Sequence, residues 1–371
     1  MKILQIITLG DSIGGAQIHV LDLAISLHER GHDVHVLTGT VGELNERLTK
    51  AGVSNGHLPT MRREIHPLDD IRCFFELRRF IQQFKPDTVA SHSSKAGIIV
   101  RLVCFFLKIP NTFTVHGWSF EANASKFNQR LYFFIEKIMG FFSCKLITVA
   151  HTGYDLGIKY RIVPPQKLVT VLNGVRDFKQ NSSQKTPDTE GVERLIQLVM
   201  SARFQSQKDH ETLIKALIPL KNTPFYLQLL GDGTETLARI QALVNDNGLA
   251  EKVAFVGFTT NVLSYLQQAD ICVLISHSEG LPLSILEAMS LGLPILASNV
   301  GGIAKQVENG YNGYLVERND VEDLTEKIKL LMNNPTLRRE MGNNSRAFYE
   351  KEFKLDKMVD KTLAVYASIL K

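Results

Sequence analysis

The sequence predicts an α/β protein built from two Rossmann-like, doubly wound parallel-sheet domains, and three observations predict it. The chain has 371 residues, too many for one typical core and suited to two domains of about 150–200 residues. Short apolar, β-rich runs alternate with helix-length segments in two separate series, which is the pattern of parallel sheets with crossover helices. Between the series, residues 174–193 lose periodicity and become rich in Asn, Ser, Lys, Thr, Pro and Asp, as a linker does. The expected domains are 1–175 and 192–350. A last helix over about 353–371 carries too many apolar positions to stand alone in solvent.

The first series opens with Lys2–Leu9, a β-rich run. Gly14-Gly15 then opens a helix whose apolar residues Ile18, Leu21, Ile25 and others recur at helical spacing, and Gly31 ends it. Asp33–Gly39 is the second strand. The Gly-x-x-x-Gly-Gly spacing is not the dinucleotide fingerprint, and no acid clearly ends the second strand, which argues against NAD. Strands 86–90, 111–115 and 145–149 follow. Ligands of such sheets collect at the strands' C-terminal ends, which places His92, Lys95, His116 and His151 on one rim. A strand-end histidine is more often structural than catalytic, and that reading is kept for His92 and His151.

The second series runs through strands 195–200, 225–230, 253–256, 271–275 and 294–297. After the first of these come Arg203 and Lys208, and after the fourth comes Ser276-His-Ser-Glu-Gly-Leu-Pro-Leu-Ser-Ile-Leu-Glu287. Leu283–Leu291 reads as a helix, with Gly280 permitting close backbone approach and Pro282 suited to the first turn. The free N–H groups of that turn make an anion site for which a diphosphate is the natural guest. Two cations facing the positive end of a helix repel unless an anion sits between them. A solvated charge pair explains the same spacing equally well. Glu279 and Glu287 both point toward anything docked there, or else cap the turn and face solvent. Gly231-Asp232-Gly233 and Gly301-Gly302 lie at further strand–helix turns, where tight turning and ligand contact are equally good explanations.

Composition is that of a globular protein, with no apolar run near the roughly 18 residues of a spanning helix and no signal-peptide start at Met1–Leu9. The expected location is the cytoplasm. The cysteines, Cys73, Cys104, Cys144 and Cys272, lack metal or disulfide spacing and read as small core residues. Net charge is +4. Residues 1–180 hold 22 Lys+Arg against 15 Asp+Glu, leaving 20 against 23 in the rest, so a +7 half precedes a −3 half. Such asymmetry suggests different partners for the two halves.

The string Glu279-Gly-Leu-Pro-Leu-Ser-Ile-Leu-Glu287-Ala resembles the Glu-x7-Glu motif of family 4 glycosyltransferases, retaining enzymes of the two-domain GT-B fold. Arg203-Phe-x-x-x-Lys208, Thr-Val-His116-Gly and Asn173-Gly-Val resemble further family motifs. His92-Ser-x-Lys95-Ala-Gly followed by Val-His-Gly-x-x-Phe is similar to bacterial members that build capsule, exopolysaccharide or O-antigen. The resemblance spans essentially the whole chain. It implies two domains facing a cleft, with the last helix crossing back to the N-terminal domain. It also implies that Glu279 contacts donor-sugar hydroxyls and Glu287 the ribose, that His116 lies near the bond being broken, and that Arg203 and Lys208 hold the leaving diphosphate. The loop at Gly14 and Gly15 would let the donor phosphate or acceptor approach backbone.

The expected activity is therefore transfer of a sugar, with retention, from a UDP- or GDP-linked donor to a saccharide acceptor. The polysaccharide resemblance implies a polyprenyl-diphosphate-linked one. Gly231, Asp232, Gly280, Leu281, Pro282 and Leu283 join the expected donor site; Gly15, His92, Lys95 and His116 form the acceptor side. The chain contains no Asp-x-Asp, so no metal and no cofactor is expected, and no nucleic-acid partner. The rivals are an epimerase or hydrolase of nucleotide sugars and an inactive nucleotide-sugar-binding partner. Basic, aromatic-dense segments at 72–81, 101–108 and 130–142 suggest peripheral contact with an anionic membrane, although helices flanking a sheet bury most such aromatics.

Overall fold

The computed structural model describes residues 1–121, 125–178 and 195–370. Most of the expected linker lies outside the described residues. The chain divides into two compact units, one comprising Met1–Asn173 with Leu355–Lys371 and the other Gly174–Lys354.

In the first unit the elements are β1 (Lys2–Ile7), α1 (Gly15–Glu29), β2 (Asp33–Thr38), α2 (Glu43–Lys50), β3 (Ser54–His57), α3 (Pro67–Phe84), β4 (Thr88–Ser91), α4 (Ser94–Leu107), β5 (Asn111–Val115), α5 (Lys126–Phe141), β6 (Lys145–Thr148), α6 (His151–Lys159) and β7 (Leu168–Thr170). Seven parallel strands pair in the order β3-β2-β1-β4-β5-β6-β7. The reversal beside β1 puts helices on both faces, as in any doubly wound sheet.

The second unit contains β8 (Ile196–Ser201), α7 (His210–Leu217), β9 (Phe225–Leu230), α8 (Leu237–Asp246), β10 (Val253–Gly257), α9 (Val262–Gln268), β11 (Ile271–Leu274), α10 (Leu283–Ser290), β12 (Ile295–Ser298), β13 (Gly313–Val316), α11 (Val321–Asn333) and α12 (Pro335–Glu352). Its six parallel strands run β10-β9-β8-β11-β12-β13. Their near-continuous apolar sequences follow from burial on both faces.

The last helix, α13 (Leu355–Ile369), belongs to the first unit. Leu355, Met358, Val359, Val365 and Tyr366 enter one core cluster with Leu23, Leu27 and Val36, and Arg30 bonds Asp356 and Asp360 at 2.7 and 2.5 Å. A chain that leaves and returns thus completes its own N-terminal core.

Four expectations need correction. β3, β7 and β13 have no counterpart in the sequence reading: all three are edge strands of only three or four residues, too short to leave an apolar signature when paired on one side. Pro282 is the N-cap of α10 rather than a first-turn residue. Cys144 is exposed between α5 and β6, unlike buried Cys73, Cys104 and Cys272. Finally, the basic aromatic segments are not mostly core: Phe74 and Phe80 pack inward, but Phe75, Phe105, Phe106, Phe134 and Phe141 are exposed.

Candidate functional site

In the second unit, the loops after β8 and β11 are laced together. Lys208 and Ser276 form an isolated bridge, Asp209 N–H donates to Ile275 O at 3.0 Å, and His277 N–H donates to Gln207 O at 2.8 Å. The Gln207 amide adds a bond to Ser278 O at 2.6 Å. This lacing carries Lys208 to Glu279. The ammonium pairs with Glu279 Oε1, and Ser276 Oγ donates to the same oxygen at 2.6 Å. Ser276 is itself fixed, its N–H bonding Ser298 Oγ at 3.0 Å. The Glu279 side chain is only 8% exposed, so its carboxylate depends on these donors.

Glycines set the backbone around it. A Cβ on Gly301, where φ is +54°, would lie 1.8 Å from Glu279 O, and the Gly302 N–H bonds that oxygen at 3.3 Å. A Cβ on Gly231 would lie 2.1 Å from Ala202 O. The role left open at Gly301 and Gly231 is thus at least close packing. Gly280 is not among the positive-φ glycines.

Arg203 pairs with Asp232 across the β8 and β9 loops at 3.3 Å. Both expected diphosphate ligands therefore have carboxylate partners from the protein itself, which corrects the argument that only a bound anion relieves their repulsion. Leu281 and Leu283 are buried beside the first turn of α10, which no side chain caps, and Gln306 holds Pro282 O at 3.0 Å. Glu287 lies half-buried on α10, close enough to Cys272 to help burial raise that thiol's pKa to about 12. Phe204 stacks on His210 at 4.4 Å, and burial lowers that imidazole's pKa to about 4.

In the first unit, the rim of the sheet gathers three histidines: His92 after β4, His116 after β5 and His19 from α1. Ring centroids are 4.8 Å apart for His19–His116, 5.5 Å for His19–His92 and 5.8 Å for His92–His116. His19 Nδ1 bonds Asn173 Oδ1 at 3.0 Å. Both nitrogens of His92 and Nε2 of His116 are buried without a hydrogen-bond partner. Burial lowers the His19 pKa to about 4. It holds those of His92 and His116 well below the ordinary value, and the neighbouring imidazoles push both further down. All three are neutral near pH 7. Their ring nitrogens lie within 4.8 Å of one another, and no other such group of metal-ligating residues occurs among the described residues.

His19 is a neighbour of the expected site residues that the sequence does not single out, while Asn173 and Ser276 appear there only within motifs, without a role. The available signal for His19 is its spacing of four from Gly15, which puts it one turn into α1 on the same face. His151 is exposed at the start of α6 and does not join the cluster. Lys95 is bound to Asp70 at 2.5 Å and to Glu64 O at 3.1 Å. Gly14 caps α1, while Gly15 has open space where its Cβ would stand.

Two Rossmann-like units of this topology, the second with an acidic and basic cluster at its strand ends, have the architecture of the GT-B fold. The family model "Glycosyltransferase Family 4" matches residues 13–177, and "Glycosyl transferases group 1" matches 182–348. The chain is 26% identical to the UDP-Gal:α-D-GlcNAc-diphosphoundecaprenol α-1,3-galactosyltransferase of Escherichia coli, covering 91% of this chain and 89% of that one. It is 24% identical to the capsular polysaccharide biosynthesis glycosyltransferase CapM of Staphylococcus aureus, covering 93% and 92%. Among solved structures, Anabaena HepE in complex with UDP and glucose superposes with a TM-score of 0.85 at 18% identity, over 99% of this chain and 100% of that one. The chain belongs to the family 4 glycosyltransferases.

Proposed function

We propose that the protein transfers a sugar with retention from a nucleotide sugar to a lipid-diphosphate-linked saccharide in bacterial surface-polysaccharide assembly. The observation that carries this reading is the clamped carboxylate of Glu279, held by Lys208 and Ser276 beside the uncapped start of α10. A diphosphate arriving at that turn meets helix N–H groups, and Lys208 and Arg203 exchange their carboxylate partners for it. Glu279 then takes sugar hydroxyls and Glu287 the ribose. The bond from the anomeric carbon to the diphosphate breaks with its electron pair on the departing phosphate. The acceptor oxygen bonds the same face of that carbon, and its proton passes to a phosphate oxygen. The neutral imidazoles of His116 and His92 suit hydroxyl groups. No cofactor or metal has a part in this scheme. UDP is favoured as the nucleotide because the galactosyltransferase relative and the HepE complex carry it in their names.

The test is to incubate the protein with UDP- and GDP-sugars, with and without a short-chain lipid-diphosphate-linked saccharide. The expected result is acceptor-dependent release of nucleoside diphosphate and an α-linked product from an α-linked donor. Release without acceptor at the same rate would favour a hydrolase, and an inverted product would refute retention. A bound donor at 100 times its dissociation constant also stabilises the fold by about 2.7 kcal/mol, which allows donors to be screened by melting.

A further inference from the structure

The exposed apolar side chains of the first unit concentrate on neighbouring helices. On α5, Phe127, Leu131, Phe134, Ile138 and Phe141 are all exposed, Phe127 and Phe141 by 75% and 72%. Their alternating spacing of four and three aligns them in one stripe along the solvent side. The opposite side of the helix buries Glu136, Met139 and Gly140, with Glu136 paired to buried Arg101 at 3.2 Å. A surface helix ordinarily turns its apolar stripe inward; here the stripe points out and an ion pair points in. Contacts between rings extend it. Phe141 meets Phe142 at 5.4 Å, Phe142 meets Phe105 of α4 at 4.9 Å, and Phe106 meets Phe74 of α3 at 6.0 Å. Leu68, Ile71 and Phe75 then continue the exposed surface along α3.

Charge decides between occupants. Lys126, Arg130 and Lys137 are exposed on α5, and its only acid is buried Glu136. Lys167 also lies 6.0 Å from the Phe141 ring centroid. A second copy of the stripe would bring like charges together, whereas an anionic surface complements them. Asp69 and Asp70 of α3 are already paired, with Arg62 at 3.1 Å and Lys95 at 2.5 Å. An apolar stripe flanked by cations is the pattern of a helix lying in the interface of a bilayer.

We propose that the joined outer faces of α3, α4 and α5 dock on a bilayer of anionic lipid, with the phenylalanines entering the headgroup boundary. This rests on the acceptor being lipid-linked. The first turns of these helices lie at the strands' C-terminal ends, the rim that bears His92 and His116, so docking keeps that rim near the headgroups.

The test is sedimentation with vesicles of phosphatidylcholine, with and without one-third phosphatidylglycerol, for the whole chain and its variants. The wild type is expected to pellet with the anionic vesicles. Phe127→Ser/Phe134→Ser/Phe141→Ser should lose about tenfold or more of that binding at every salt concentration, while its melting and its turnover of a soluble acceptor are retained. Arg130→Gln/Lys137→Gln should lose only the salt-sensitive part. The fluorescence of the Phe134→Trp variant should be quenched by brominated lipid chains, since the natural Trp118 is buried. Wild type left in the supernatant, fluorescence of Phe134→Trp that brominated chains leave unquenched, or a wild-type dimer that the triple serine variant dissolves would each overturn the proposal. Vesicle binding without transfer to any lipid-diphosphate acceptor would instead sink the proposed function and leave the docking surface standing.

Discussion

Gly301 touches the backbone of Glu279 so closely that a Cβ there would lie 1.8 Å from the Glu279 carbonyl oxygen. The turn after β12 is thus the floor on which the turn after β11 rests, and the position of the Glu279 carboxylate depends on it. Gly301→Ala forces one turn away from the other in a left-handed backbone conformation that alanine resists. The expected outcome is a loss of about 10²-fold in kcat and a destabilisation of about 1–3 kcal/mol, measured by transfer assay and denaturant melt. Wild-type kcat in Gly301→Ala would detach this contact from activity.

Glu279→Gln and Lys208→Ala should each reduce transfer by about 10²–10³, the usual cost of one preorganised polar contact to a developing charge. Their side effects differ. The amide introduced by Glu279→Gln can still accept the bond from Ser276, whereas Lys208→Ala leaves a nearly buried carboxylate with the hydroxyl and without its cation. Lys208→Ala should therefore melt lower than Glu279→Gln. Ser276→Ala should act more mildly, raising KM for donor and lowering kcat, while Ser276→Thr restores both. Full transfer in both Glu279→Gln and Lys208→Ala would show the site to be elsewhere.

Acid should unfold the first unit early. An unfolded imidazole titrates near 6.5, while His19 titrates at about 4 and His92 and His116 well below the ordinary value. The folded state thus binds fewer protons between these limits. The stability is fully present above about pH 6.5 and is lost as pH falls below it, the His19 share being lost as pH falls to about 4. Urea melts across this range check the slope, and His92→Asn should flatten it. A slope that His92→Asn leaves unchanged would mean that other groups dominate.

Chelation should leave turnover largely intact, because the proposed scheme gives Arg203 and Lys208 the role that a bridging cation would otherwise have. Activity that EDTA abolishes and Mg²⁺ or Mn²⁺ restores would reassign the stabilisation of diphosphate.

Removing residues 355–371 should be far more damaging than removing an ordinary terminal helix. It strips Leu355, Met358, Val359, Val365 and Tyr366 from the core beneath α1, at about 1.5–3 kcal/mol for each fully buried large side chain. The expected product is an aggregated or unfolded first unit, seen by circular dichroism and light scattering. A cooperative melt at wild-type temperature would contradict the packing.

The features legible along the chain are those that depend on local pattern. The two series of buried strands, the turn at Glu279 to Leu283 and the helix after it are legible because burial on both faces leaves near-continuous apolar runs and because glycine and proline punctuate them. The edge strands β3, β7 and β13, of only three or four residues, were not legible, whereas the five-residue edge strand β10 was. Tertiary structure alone decided the partners. It set Lys208 and Ser276 on one oxygen of Glu279, brought His19 from α1 to His92 and His116, and returned α13 to the first core. It also turned the apolar stripe of α5 outward, against the expectation that such aromatics are core. Spacing along a chain reports which side chains share a face, but which face meets the core depends on neighbours far away in sequence, here Arg101 drawing Glu136 inward.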